Sequence, residues 1–107
     1  MLEKPRYRIE RDAVGKFLFV LSWLNQKHRE TFDRVLAVRG RTRIYFAKTA
    51  DELEKSGQSV NPQRIPNSEF WVVTNNDTPK KQRMVTDVMR LFGYSSVDAS
   101  RLADSIA

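Results

Sequence analysis

Phe70-Trp71-Val72-Val73-Thr74, running into Asn75-Asn76-Asp77 and then Thr78-Pro79, decides how this chain is read. Consecutive aromatic and β-branched residues fit a pleated, half-buried surface and predict a strand over 70–74. The amide and carboxylate side chains behind it are turn formers. Thr78 then suits a helix cap and Pro79 the first helical position, where the missing N–H is not needed. A strand that feeds a turn and a helix start excludes an all-helical fold.

Downstream, Met84, Val85, Val88, Met89 and Phe92 share one face of the helix opened by Thr78, and Gly93 ends it. Ser95 or Ser96 caps a last helix with Leu102 and Ile106 inward. Upstream, residues 58–69 contain Pro62, Pro66 and polar amides and read as a loop. Thr49-Ala50-Asp51-Glu52 is a capping box that opens a short helix closing near Gly57. Ile44 to Ala47 reads as a second strand. Arg29 to Val38 predicts a helix with Phe32, Val35 and Leu36 on one side and Gly40 as its stop. Asp12 caps the first helix, where Val14, Phe17, Leu18, Leu21 and Leu24 share a face. Phe19 and Trp23 widen that apolar surface and predict a helix central to the core. Residues 1–11 are polar and read as an arm before one domain over 12–107. The fold class is α+β: a mainly helical single domain with a small, two- to three-stranded sheet.

The 107 residues suit one modest core. The net charge is +6, and it is unevenly placed. Residues 1–49 hold 12 Lys and Arg against 5 Asp and Glu, a net +7, whereas residues 50–107 hold 7 against 8, a net −1. A basic first half points to an anionic partner, nucleic acid before membrane. The absence of cysteine excludes disulfides and thiolate metal sites and fits a reducing compartment, so the expected location is the cytoplasm. The longest apolar run, Phe17 to Leu21, is too short to span a bilayer.

Little supports an enzyme. The single His28 lies between Lys27 and Arg29 and reads as a solvated residue. Asp51, Glu52 and Glu54 occupy the start of a short helix, where they favour the macrodipole. No phosphate loop, nucleophile motif or metal-spaced cluster is present, and neither cofactor nor metal is expected.

Two segments carry binding chemistry. In Arg39-Gly40-Arg41-Thr42-Arg43, the guanidinium groups of Arg41 and Arg43 share one side of an extended segment, which suits paired contacts to a phosphate backbone. The same residues also suit a solvated turn. In Asn75-Asn76-Asp77-Thr78-Pro79-Lys80-Lys81, asparagine side chains able to bond an adenine edge stand beside a helix N-terminus and two lysines suited to phosphate. Asn and Asp are equally ordinary in turns.

Gly40-Arg41-Thr42-Arg43-Ile44-Tyr45-Phe46-Ala47 closely resembles the GRTRVYFA segment of the SeqA family of negative modulators of replication initiation. Phe70-Trp71-Val72-Val73-Thr74-Asn75 is similar to that family's YWVITN, with Asn61-Pro62 and Pro66 recurring between the two. Ala13-Val14, Phe17 and Leu21-Ser22 are similar upstream, and the likeness covers about residues 12–107. The resemblance implies a mainly helical α+β domain with a three-stranded sheet. The implied partner is double-stranded DNA at GATC sites methylated on one strand, the state left behind a replication fork. It also implies a nucleoid-associated, non-enzymatic role. The DNA contacts it implies are Ala13, Val14, Arg41, Thr42, Arg43, Ile44, Tyr45, Asn75, Asn76, Asp77, Thr78, Pro79, Lys80 and Lys81, with Asn75 against the methylated adenine–thymine pair. Two features depart from the family. Asp77 replaces a second asparagine and, when ionised, only accepts hydrogen bonds. The family's oligomerisation segment, which lies ahead of this domain, has no counterpart in the sequence. An alternative is therefore a protein-interaction domain, or a DNA-binding domain that no longer discriminates by methylation.

Overall fold

Helix α1, Ala13–Lys27, buries Phe17, Val20, Leu21 and Leu24, a stripe at helical spacing. The structure, a computed structural model, describes residues 13–40, 43–56 and 61–106. The arm over 1–11, the cap at Asp12, Arg41, Thr42 and the stop at Gly57 lie outside these. Phe19 and Trp23 do not widen the buried face: they are 57% and 38% exposed. At about 100° per residue, positions two and six beyond Phe17 fall on the far side of the helix.

The helix expected over Arg29–Val38 is a 3-10 helix confined to Phe32–Ala37. Its only fully buried residues, Phe32 and Val35, are three apart, and a three-residue period eclipses them on one line. The segment stops at Val38, which is extended (φ −83°, ψ 106°). Gly40 is therefore not a helix stop. A Cβ there would lie 2.7 Å from the Tyr45 hydroxyl oxygen, so glycine is what lets the tyrosine ring close over the chain.

Strand β1, Phe46–Ala47, is shorter than the expected Ile44–Ala47, because Ile44 bridges back to Arg39 instead. Helix α2, Ala50–Ser56, follows. Thr49 Oγ1 accepts from Glu52 N at 3.2 Å, while Glu52 Oε1 accepts from Lys48 N at 3.3 Å, so the capping box closes one residue early. Strand β2, Pro62–Arg64, replaces part of the expected loop. Nothing in Pro-Gln-Arg favours a strand; the free edge of strand β3, Trp71–Val73, imposes it. Proline is tolerated there as the first residue of an edge strand.

The sheet order is β1-β3-β2, antiparallel throughout. Phe46 pairs with Val72 and Ala47 with Trp71; Pro62, Gln63 and Arg64 pair with Val73, Val72 and Trp71. Helix α3, Thr78–Leu91, and helix α4, Ser96–Asp104, complete the chain. Gly93, at φ +90°, ends the first of these, and the Ser95 hydroxyl caps the second by accepting from Asp98 N. Helix α2 touches all three strands, α1 and α4 both pack on α3, and the 3-10 helix joins α3 to β1. The α+β class with a three-stranded sheet is as expected from the sequence.

Polar side chains bind the layers together. Ser22 Oγ donates to Pro66 O at 2.9 Å, and Asn25 Nδ2 donates to Asn67 O at 3.0 Å, so α1 holds the loop between β2 and β3. His28 is no solvated residue. Its ring stacks on Phe92 at 4.6 Å, and Nε2 lies 2.8 Å from the Tyr94 hydroxyl.

Candidate nucleic-acid interface

Strand β3 ends at Val73, and the chain turns at once into α3 through Thr74, Asn75, Asn76 and Asp77. Thr74 is buried, and its hydroxyl donates to Asn61 O at 2.7 Å while accepting from Asn61 Nδ2 at 3.1 Å. Asn61, at φ 47°, thus ties the start of β2 to the start of the turn. Asn75 is exposed at the turn's tip. Asn76 faces inward: its Nδ2 donates to Met84 Sδ at 3.5 Å, and its buried Oδ1 finds no donor among the described residues.

Asp77, not Thr78, caps α3. Its backbone is extended, and its Oδ1 accepts from Lys80 N at 3.0 Å. Thr78 becomes the first helical residue and Pro79 the second. Either residue can cap, so the sequence Asp-Thr-Pro does not decide between them. The carboxylate sits where the helix dipole favours negative charge. Asp77→Ala is expected to cost about 0.5–2 kcal/mol of stability, read as a lower urea midpoint with an unchanged slope.

The two lysines separate sharply. Lys80 is half-buried, with its ammonium 5.4 Å from the centre of the Tyr45 ring, close enough for a cation–π contact that leaves it facing solvent. Lys81 is only 3% exposed. Its Nζ donates to Thr74 O at 3.0 Å and to Asn76 O, and it lies 6.0 Å from the Phe17 ring centre. The phosphate contact assigned to Lys81 from sequence is thereby corrected: a buried ammonium held by carbonyls does not reach a phosphate.

The arginine segment approaches the same end of the sheet. Arg39 and Ile44 form an antiparallel bridge, and Gly40 N donates to Arg43 O at 2.9 Å. Ile44 N is fixed by Ser56 Oγ at 3.0 Å, and Tyr45 O accepts from Val73 N at 3.0 Å. Arg43 is exposed, Ile44 and Tyr45 are half-buried. Ala13 and Val14 open α1 one turn before Phe17, the ring beside Lys81. Tyr45, with Lys80 over its ring, stands beside Val73 where β1 begins and β3 ends; Arg43 precedes Tyr45 by two residues and Asn75 follows Val73 by two. The roles of Asn61 and Ser56 are not legible in the sequence, because their partners, the Thr74 hydroxyl and the Ile44 amide, lie 13 and 12 residues away.

A family model described as the SeqA protein C-terminal domain matches residues 1–105. A negative modulator of initiation of replication from Idiomarina loihiensis is 45% identical over 103 residues, covering 96% of this chain and 64% of that protein. One of the same description from Pseudoalteromonas translucida is 39% identical over 104 residues, covering 97% of this chain and 53% of its own length. The chain thus spans between about half and two-thirds of these relatives' length. The crystal structure of V. cholerae SeqA is similar with a TM-score of 0.79 and 36% identity, over 88% of this chain and 80% of that one.

Proposed function

The chain belongs to the SeqA C-terminal-domain family, and we propose on that footing that it binds double-stranded DNA at hemimethylated GATC sites and so negatively regulates replication initiation. The observation that supports this reading most directly is the exposed Asn75 on a turn anchored on both sides, at the end of the sheet where Lys80 stands over Tyr45. In this reading Asn75 reads the adenine of the methylated pair in the major groove. Arg41, Arg43 and Lys80 hold phosphates, which fix the register without reading sequence. Thr42 and Ile44 line the approach, and the start of α1 at Ala13-Val14 offers backbone N–H groups. Asp77 supports the turn through the helix cap, so its replacement of asparagine does not by itself remove the reader. Such a domain acts in the cytoplasm, on the nucleoid; no helix among the described residues is long and apolar enough to cross a membrane.

A titration of fully methylated, hemimethylated and unmethylated GATC duplexes at physiological salt tests this. Tightest binding to the hemimethylated duplex is expected. Equal affinity for all of them would leave a DNA-binding domain without methyl discrimination, and no salt-sensitive binding would remove DNA as the partner. Arg43→Ala is expected to weaken every duplex alike and to make the slope of log affinity against log salt shallower by about 0.9, the signature of one lost phosphate contact.

A further inference from the structure

We infer that Lys81 is the positioning residue of the reading turn, holding it from inside the protein so that Asn75 presents its amide in one direction. The inference rests on the DNA-reading role proposed above for Asn75. Lys81 donates to the carbonyls of Thr74 and Asn76, the residues on either side of Asn75. Those carbonyls belong to the peptide planes that precede and follow the Asn75-Asn76 unit. Fixing both planes leaves the Cα–Cβ direction of Asn75 little room to vary, since a trans peptide allows rotation only about φ and ψ.

The chemistry of the site favours this role over packing alone. A buried ammonium is costly unless it is hydrogen-bonded, and an apolar side chain of the same length fills the space without that cost. Charge-assisted hydrogen bonds are shorter and stronger than neutral ones, which suits a part that holds two carbonyls in place. Lys81 approaches from α3 and the Phe17 side, while Asn61 grips Thr74 from β2. The turn is thus held from two directions. The adjacent Lys80, over Tyr45, is the lysine placed for phosphate. One short segment divides its two cations between outside and inside.

Lys81→Met keeps the stem and removes the donors. Compared with the wild type, it is expected to keep its salt slope and its affinity for a duplex lacking GATC, and to lose the preference for hemimethylated over unmethylated GATC. Without DNA, the Asn75 side-chain amide signals in a ¹⁵N spectrum should shift and broaden. Retained preference with unmoved Asn75 signals would overturn the inference. So would a slope shallower by about 0.9, which would make Lys81 a phosphate contact. If the variant does not fold, the wild type decides: scalar couplings from Lys81 Nζ to the Thr74 and Asn76 carbonyl carbons should persist when duplex is added. Their replacement by coupling to DNA phosphorus would sink the idea. A wild type that binds every duplex equally would overturn the methyl-reading proposal instead, and the couplings and Asn75 signals would still decide whether Lys81 holds the turn.

Discussion

Phe32→Ala is expected to destabilise the domain by about 3–5 kcal/mol, the cost of removing a fully buried phenyl ring and leaving a cavity. Phe32 has no exposed surface. Its ring meets Phe70 edge-on at 5.4 Å and stacks on Phe92 at 6.0 Å, so it joins the 3-10 helix, the residue before β3 and the end of α3. A domain of this size has roughly 5–15 kcal/mol of stability in total. At roughly 4–8 °C per kcal/mol, the melting temperature should fall by more than about 12 °C. Thermal unfolding followed by circular dichroism checks this, and a loss below about 1 kcal/mol would mean the 3-10 segment is peripheral to the core. Below its melting point the variant should still discriminate between duplexes, since the aromatic cluster contacts β3 at the end away from Asn75.

Asn75→Ala should behave in the opposite way. The side chain is exposed, so melting should change far less than in Phe32→Ala. Discrimination for hemimethylated GATC should fall by about 1–3 kcal/mol, the value of one good bidentate base contact and roughly a 5- to 150-fold loss of preference. Binding to unrelated duplex and its salt dependence should remain, because those depend on phosphate contacts. A gel-shift series on matched duplexes that found the same preference in wild type and variant would refute Asn75 as the reader.

Strand β3 and helix α3 were legible because their residues state their structure locally. A run of aromatic and β-branched side chains has few other uses, and a Pro one or two residues past a capping side chain marks a helix start. The 3-10 helix is not distinguishable from an α-helix in the sequence, because Phe32 and Val35 satisfy both a three-residue and a 3.6-residue period, and only packing chooses between them. Strand β2 was illegible since its pairing partner, not its composition, makes it extended. Lysine is almost never fully buried unless paired, so Lys81 reads from sequence as a surface residue. Its partners here are backbone carbonyls, which no side-chain pattern announces. The same applies to Asp77, whose departure from the family pattern looked like a threat to recognition and is used as a helix cap.

The Tyr45 carbonyl and the Val73 amide meet across the first and central strands of the sheet. The arginine segment and the asparagine turn consequently leave the sheet as neighbours, and the gap between them is one strand spacing, about 4.8 Å. Successive nucleotides on one strand of a duplex rise by about 3.4 Å. In the DNA-binding reading proposed above, the sheet would be a ruler of between one and two base steps, graduated by hydrogen bonds. Lengthening the chain between α2 and β2 leaves that ruler unchanged. A one-residue slip of β1 against β3 would recalibrate it and turn every side chain of β1 to the other face.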